Sequence, residues 1–306
     1  MNLFRRLRPL LAGLGLAASA CATAPARMPD RPPVRPAPIQ PAMWKVSDAD
    51  TTIYLFGTIH LLPAKLAWQT PAFEAAAAHS DELVVETILD DQHPTAFANR
   101  LLALGQQAGL PRMLDRVAPD KRAALATAIA ASGFPAAAFD GMKTWLAGFL
   151  LVTTQFKHLG LNGQDGVEAI LRQRFSAAGK SIGALESNDQ QIAIFDQLPE
   201  AAQRAFLEST LGDDAAMKAE LGAMIDSWEH GDTAKIAATF NAELTGNPEL
   251  TDALLHRRNA DWTRWVKARM ARPGTVMVAV GAGHLAGKGS VIDQLKRAGV
   301  RIERVQ

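Results

Sequence analysis

Residues Thr275–Leu285 read TVMVAVGAGHL, a run of strand formers that breaks on two glycines and delivers a histidine. Apolar residues at successive rather than alternate positions belong in a strand covered on both faces, the mark of a central strand in a mostly parallel sheet. The arrangement recurs near the other end, where Thr51–Pro63 reads TTIYLFGTIHLLP. Each segment closes a strand on Gly-x-x-His-Leu. With 23 glycines and 7 histidines, chance places roughly half a Gly-x-x-His in a chain of 306 residues. Two copies, both at the end of a strand, mark His60 and His284 as partners. The glycines are expected to turn the chain with backbone angles other residues resist, and to leave room for a ligand beside the backbone.

Outward from these segments, strands and helices alternate. AMWKVSD pairs with TTIYLFG as a hairpin across Ala49-Asp50, and ELVVET and KSIGALES are further strands. VIDQLKRAG and VRIERVQ close the chain as a helix and an edge strand. Thr70-Pro71 opens a helix, with threonine as cap and proline in the first turn. Helices are expected over about 94–109, 119–132, 140–158 and 166–178. A helical tract over about 188–271 is broken near Leu198-Pro199, Gly231 and Gly246-Asn247-Pro248. The fold class is therefore α/β: a mixed, mostly parallel central sheet with flanking helices and a large helical insertion capping one end. Ligands of open α/β sheets bind at the carboxyl ends of strands. Four strands here end in His60, Glu86, Glu186 and His284.

Two histidines and one or two carboxylates form a first shell for a divalent metal with an open position, and they suit zinc, manganese, cobalt or iron. Such an ion acidifies bound water and polarises a carbonyl, while a remaining carboxylate serves as general base. In HRRNADWTRWVK, helical spacing puts Arg258, Trp262 and Trp265 on one face. The Arg258 guanidinium then either holds a substrate carboxylate or developing oxyanion, or makes a salt bridge that ties down the helical block. His256 lies off that face, and His79, His93, His158 and His230 are assigned to surface or core. GAGHLAGKGS lacks P-loop spacing, and neither a Gly-x-Ser-x-Gly elbow nor a His-Glu-x-x-His helix occurs.

The composition, 48% hydrophobic and 21% charged, is that of a globular chain. Residues 1–20 read as a signal peptide: a basic start with Arg5, Arg6 and Arg8, a short apolar stretch, then Ala18-Ser19-Ala20. Without those three arginines, 29 basic residues face 31 acidic ones, so no basic face points to nucleic acid. Cys21 is the only cysteine. Its place at the cleavage point resembles a lipoprotein acylation site, although Ala18 stands where leucine is usual; ordinary cleavage is the other reading. The expected location is the bacterial cell envelope, on the periplasmic side, with the chain anchored to the outer membrane through Cys21. Residues 21–41 are a Pro-rich tether, and residues 42–306 form the folded domain.

The segments GTIHLLP, ELVVET, ALESNDQQIAIFD, HRRNADW and VGAGHLAGKGSVIDQL resemble the TraB/PrgY/GumN family, which includes the Tiki proteases and is related in fold to the erythromycin-esterase and ChaN-like group. Tiki members are metal-dependent proteases favouring manganese or cobalt. The resemblance implies His60, Glu86 and His284 as metal ligands, with Glu186, Arg258 and Asn259 as further site residues. The expected function is that of an exported, metal-dependent hydrolase acting on peptides or proteins. Glu186 would support the site or act as base, and Arg258 and Asn259 would line the substrate side. The alternative is a non-catalytic envelope protein that sequesters a peptide or small ligand, or, by analogy with the ChaN-like relatives, one that binds haem or iron.

Overall fold

Strand β5, Gly274–Gly281, sits in the middle of a six-stranded sheet, as its unbroken apolar run demands. The computed structural model describes residues 38–63, 66–88, 94–159, 166–212, 214–244 and 247–306. The signal segment, Cys21, most of the tether and His93 lie outside the described residues. The other strands are β1 (Met43–Ser47), β2 (Thr51–Thr58), β3 (Glu82–Val85), β4 (Ser181–Ala184) and β6 (Ile302–Arg304). Their spatial order is β4-β3-β5-β2-β1-β6. Strands β2, β3, β4 and β5 run parallel, with β2 and β3 flanking β5. The β1–β2 hairpin and the β6 edge pair antiparallel. This is the α/β sheet expected from the sequence.

Alternate residues of β5 serve opposite faces. Val276, Val278 and Val280 pack with Ile53, Leu55, Trp262, Val266 and Leu295 on one side. Met277 and Ala279 pack with Phe56, Phe73, Trp68, Trp228 and Phe175 on the other. Helices Val291–Arg297 and Arg257–Arg269 cover the first face, and helices Pro71–His79 and Val167–Ala177 the second. A separate helical core around Phe139, Trp145, Leu125 and Leu207 forms the insertion.

Helix Pro71–His79 starts where expected, with the Thr70 hydroxyl accepting from the Phe73 amide at 3.1 Å. The long helical tract breaks at the expected places. Gly231 holds a left-handed φ of +60°, where an added Cβ would stand 2.6 Å from the Gln40 carbonyl. That carbonyl shows the chain already fixed before Ala42: the Gln40 amide donates to the Glu229 carbonyl. One break went unforeseen, between helices Glu200–Ser209 and Asp214–Glu229. Leu211-Gly212 has no proline to announce it.

Within helix Asp214–Glu229, Gly222 has nothing within 4 Å of where a Cβ would sit. Gly222→Ala is therefore expected to raise stability by about 0.4–1 kcal/mol, because alanine has less backbone freedom to lose. Urea denaturation measures this, and a destabilised variant would contradict the reading of that face as open.

Candidate functional site

The carboxyl ends of β2, β3, β4 and β5 bring the expected residues together. Parallel pairing sets Thr58 beside Gly281, so the two Gly-x-x-His segments leave the sheet side by side. Past β3 and β4 the ladder continues, the Glu186 amide donating to the Glu86 carbonyl at 2.9 Å, which puts two glutamates next to each other.

Of the two roles expected of the glycines, unusual backbone angles are not used and room beside the backbone is. Neither Gly57 nor Gly281 adopts a positive φ, and Gly281 has ordinary angles of φ −48° and ψ 132°. Their role is close approach. A Cβ on Gly57 would stand 3.2 Å from the Ala282 Cα. On Gly281 it would meet Glu86 Oε1 at 3.1 Å, His284 Cδ2 at 3.7 Å and His60 Nε2 at 3.8 Å. Three candidate ligands thus converge on one missing side chain, and the Gly281 amide donates to Glu86 Oε1 at 2.7 Å.

Two adjacent carboxylates out of water repel unless a cation joins them. Arg258 does so. Its Nε donates to Glu186 Oε1 at 2.9 Å, and one terminal nitrogen bridges Glu86 Oε2 at 2.6 Å and Glu186 Oε2 at 2.9 Å. The other terminal nitrogen lies 3.0 Å from His284 Nε2 and 3.3 Å from the Leu254 carbonyl. The side chains of Arg258, Glu86 and Glu186 are only 12%, 9% and 11% exposed. A π-helical turn, Asp252–His256, immediately precedes helix Arg257–Arg269 and delivers Arg258 to the carboxylates. Such widened turns recur at functional sites.

Each histidine is held through Nδ1. His284 Nδ1 lies 2.7 Å from Asn259 Oδ1, and the Asn259 amide nitrogen donates to the Gly289 carbonyl. Because Asn259 Oδ1 can only accept, His284 carries its proton on Nδ1 and its lone pair on Nε2. His60 Nδ1 lies 2.8 Å from Glu168 Oε1, which also accepts from the Thr58 hydroxyl. His60 stands at the cavity mouth, its side chain 64% exposed.

Charge states follow from these contacts. Burial pushes His284 down to about 3, against the pull of Glu86, so its ring is neutral at pH 7. Glu168 and, behind it, Glu86 raise His60 above its ordinary 6.5, although burial opposes them and solvent screens part of the effect. Burial alone would push Glu86 up; His284, Arg258, His60 and the Gly281 amide overturn it and hold the carboxyl at about 2.

His60, Glu86, Arg258 and His284 line a cavity of about 350 Å³ that continues between the helices as an apolar recess. Glu186 does not reach its wall; its oxygens face Arg258, Trp262 Nε1 and Gln191. Asn259 sits buried behind His284 rather than on the cavity wall. Arg258 takes the salt-bridging alternative, with all five N–H groups engaged. The Trp262 ring lies under the guanidinium, its centre 4.7 Å from the guanidinium carbon, and tilted at 47° against His284, whereas Trp265 packs half-buried against the core. His256, His79, His158 and His230 are exposed, as expected. Sequence reading missed Glu168, which opens helix Val167–Ala177 and reaches His60 only through the fold. An acidic residue in the first turn of a helix reads as a dipole partner and gives no other signal.

Among the described residues, the one group of His, Asp and Glu ligand atoms within 4.8 Å of one another is Asp226, Glu229 and His230, on the surface. The donors around Gly281 share a focus but stand wider apart. No helix among the described residues is long and apolar enough to cross a membrane.

A model of the TraB/PrgY/gumN family matches residues 42–304. The "Uncharacterized protein YbaP" of Escherichia coli (strain K12) is 27% identical over 243 residues, covering 79% of this chain and 87% of YbaP. YbaP of Shigella flexneri matches to the same extent. No solved structure matches. The four strand ends that gather His60, Glu86, Glu186 and His284 lie within the matched span, and the chain belongs to the TraB/PrgY/gumN family.

Proposed function

We propose that the protein is a metal-dependent hydrolase of the cell envelope, anchored by a lipid on Cys21, with peptide bonds as its substrate. One observation carries this reading. Both histidines have Nδ1 fixed by an oxygen, Glu168 or Asn259, which leaves Nε2 as the ring nitrogen of each that can ligate, and His60 Nε2 and the neighbouring Cδ2 of His284 stand 3.8 and 3.7 Å from the point beside Gly281 near which Glu86 Oε1 also lies. Oxygen acceptors behind ring nitrogens are the usual support of metal-binding histidines. Donor chemistry fits manganese, cobalt or zinc: two imidazoles, a carboxylate and no thiolate. A bound divalent ion would supply an acidified water and a polarised carbonyl.

The protein's own groups do the rest. His60, His284 and Glu86 would hold the ion. Asn259 fixes the tautomer of His284, and Glu168 orients His60. Arg258 keeps Glu86 ionised and shares the His284 Nε2 lone pair, so that one N–H must turn aside for His284 to ligate. Glu86 is the carboxylate on the cavity wall, which puts proton handling there rather than on Glu186.

The test is elemental mass spectrometry of the purified protein beside His60→Ala/His284→Ala, followed by a peptide-cleavage screen with manganese, cobalt and zinc. About one transition-metal equivalent and cleavage, both absent from the double variant, are expected. Metal in neither protein sinks the reading. Glu168→Gln keeps the shape but loses the charge behind His60. It is expected to lower metal affinity by about 10–100-fold while leaving the melting temperature nearly unchanged. Unchanged affinity in a metal titration would remove Glu168 from the site.

A second reading, sequestration of a peptide without catalysis, is favoured by one observation. Among the described residues no buried side-chain polar atom lacks a partner, so the network closes around Arg258 without an ion. Peptide binding that survives the double substitution, with no cleavage in any metal, would support it.

A further inference from the structure

We propose that the recess beside His60 and His284 receives one large apolar side chain of the peptide, so that the protein selects substrates with such a residue next to the reacting bond. The inference rests on the peptide reading above and adds its specificity.

The cavity is divided by chemistry. Its charged groups, His60, Glu86, Arg258 and His284, all stand at the strand-end side. The opposite wall is formed by Phe156, Leu221, Met224, Trp228, Ile236 and Leu255, without an ionisable group. An occupant must therefore present a polar, reactive part to the strand ends and an apolar part to the helices. About 350 Å³ lies at the low end of the range for pockets that enclose small ligands, which fits one bulky side chain with its flanking backbone.

The two halves are mechanically joined. Trp228 Nε1 donates to the Gly57 carbonyl at 2.7 Å, tying the apolar wall to the same strand end that carries His60. The ring is further held among Phe56 and Trp68, with centroids 6.5 and 6.1 Å away. An apolar group resting against Trp228 is thus indexed to the reacting end. One turn before this rigid ring on the same helix, Asp214–Glu229, the half-buried Met224 supplies an unbranched, adaptable surface that accommodates different apolar shapes.

The test separates binding from cleavage. Blocked Ala-X-Ala tripeptides with X as Phe, Leu, Ser or Asp are titrated calorimetrically into the full-length protein and into its His60→Ala/His284→Ala form, both metal-free. Binding of the Phe and Leu peptides at least about tenfold tighter than Ser and Asp, in both proteins, is expected. Met224→Gln, which keeps the length but adds an amide, should cut that preference to less than about threefold, whereas Met224→Leu should keep it. Equal affinity for all four peptides overturns the proposal, as does a preference untouched by Met224→Gln in a variant whose circular dichroism matches wild type. Decanoate binding in place of the peptides also overturns it, making the recess an acyl site. Apolar selectivity without cleavage in any metal would leave the recess as proposed and defeat only the hydrolase reading.

Discussion

Arg258→Ala is expected to cost about 3–5 kcal/mol of stability at pH 7, because it removes the cation from a buried pair of carboxylates. Arg258 joins Glu86 and Glu186, each nearly buried, and its removal leaves two adjacent carboxylates without a counter-charge. The loss should depend on pH, with a definite sign. In the wild type, Glu86 is held at about 2, below its ordinary 4.5, so its contribution is present above 4.5 and disappears as pH falls toward 2. In the variant, an unpaired buried carboxyl has its value raised, so the penalty is greatest at neutral pH and fades on acidification. The two stabilities should therefore draw closer between pH 7 and 4.5, as the variant's carboxyl takes up its proton, and closer still toward pH 2, as the wild type loses its own contribution. Urea denaturation at pH 7 and pH 4.5 measures both. A difference under about 1 kcal/mol at pH 7 would mean that water reaches these carboxylates.

Gly281→Ala is expected to disable the site through one methyl group. The Gly281 backbone is acceptable to alanine, so the effect comes from contact: the new Cβ would lie 3.1 Å from Glu86 Oε1 and within 4 Å of both His60 and His284. The carboxylate must retreat, stretching its bond from the Gly281 amide and its 2.6 Å contact with Arg258. A stability loss of about 1–3 kcal/mol is typical of such overpacking. Affinity for the proposed divalent ion should fall at least about tenfold, since ligand geometry tolerates only a few tenths of an ångström. Gly57→Ala offers the contrast, because its Cβ would press on Ala282, whose Cα and Cβ stand 3.2 and 3.3 Å away, rather than on a candidate ligand. It should destabilise while leaving the ligands nearer their places. Metal titration and thermal melting separate the two, and a Gly281→Ala protein with wild-type metal affinity would contradict the convergence described here.

Much of this was legible in the sequence because the strands announce themselves. An unalternated run such as VMVAV admits few placements, and once β2, β3, β4 and β5 are parallel, the residues just past their ends must meet. That logic located His60, Glu86, Glu186 and His284. It did not reach Glu168 or the true place of Asn259, because their partners are set by how helices Val167–Ala177 and Arg257–Arg269 dock on the sheet, a tertiary matter with no local pattern. Of the two properties expected of the glycines, backbone freedom and room beside the backbone, the structure uses only the second at Gly57 and Gly281. A sequence shows that a side chain is missing, and only the neighbours show whether backbone freedom or space is the reason.

The π turn at Asp252–His256 has a consequence for how this family can vary. A widened turn inside a continuous helix is equivalent to one extra residue, and each residue of an α-helix advances its face by about 100°. Deleting a single position there would yield a smoother helix with better-formed backbone bonds, and so a locally more stable segment. It would also rotate Leu254 and Leu255, on the cavity wall, out of phase with Arg258 behind it. Length in this short stretch therefore sets the relative aim of pocket and charge, and one residue more or fewer at that point is expected to turn Leu254 and Leu255 relative to Arg258.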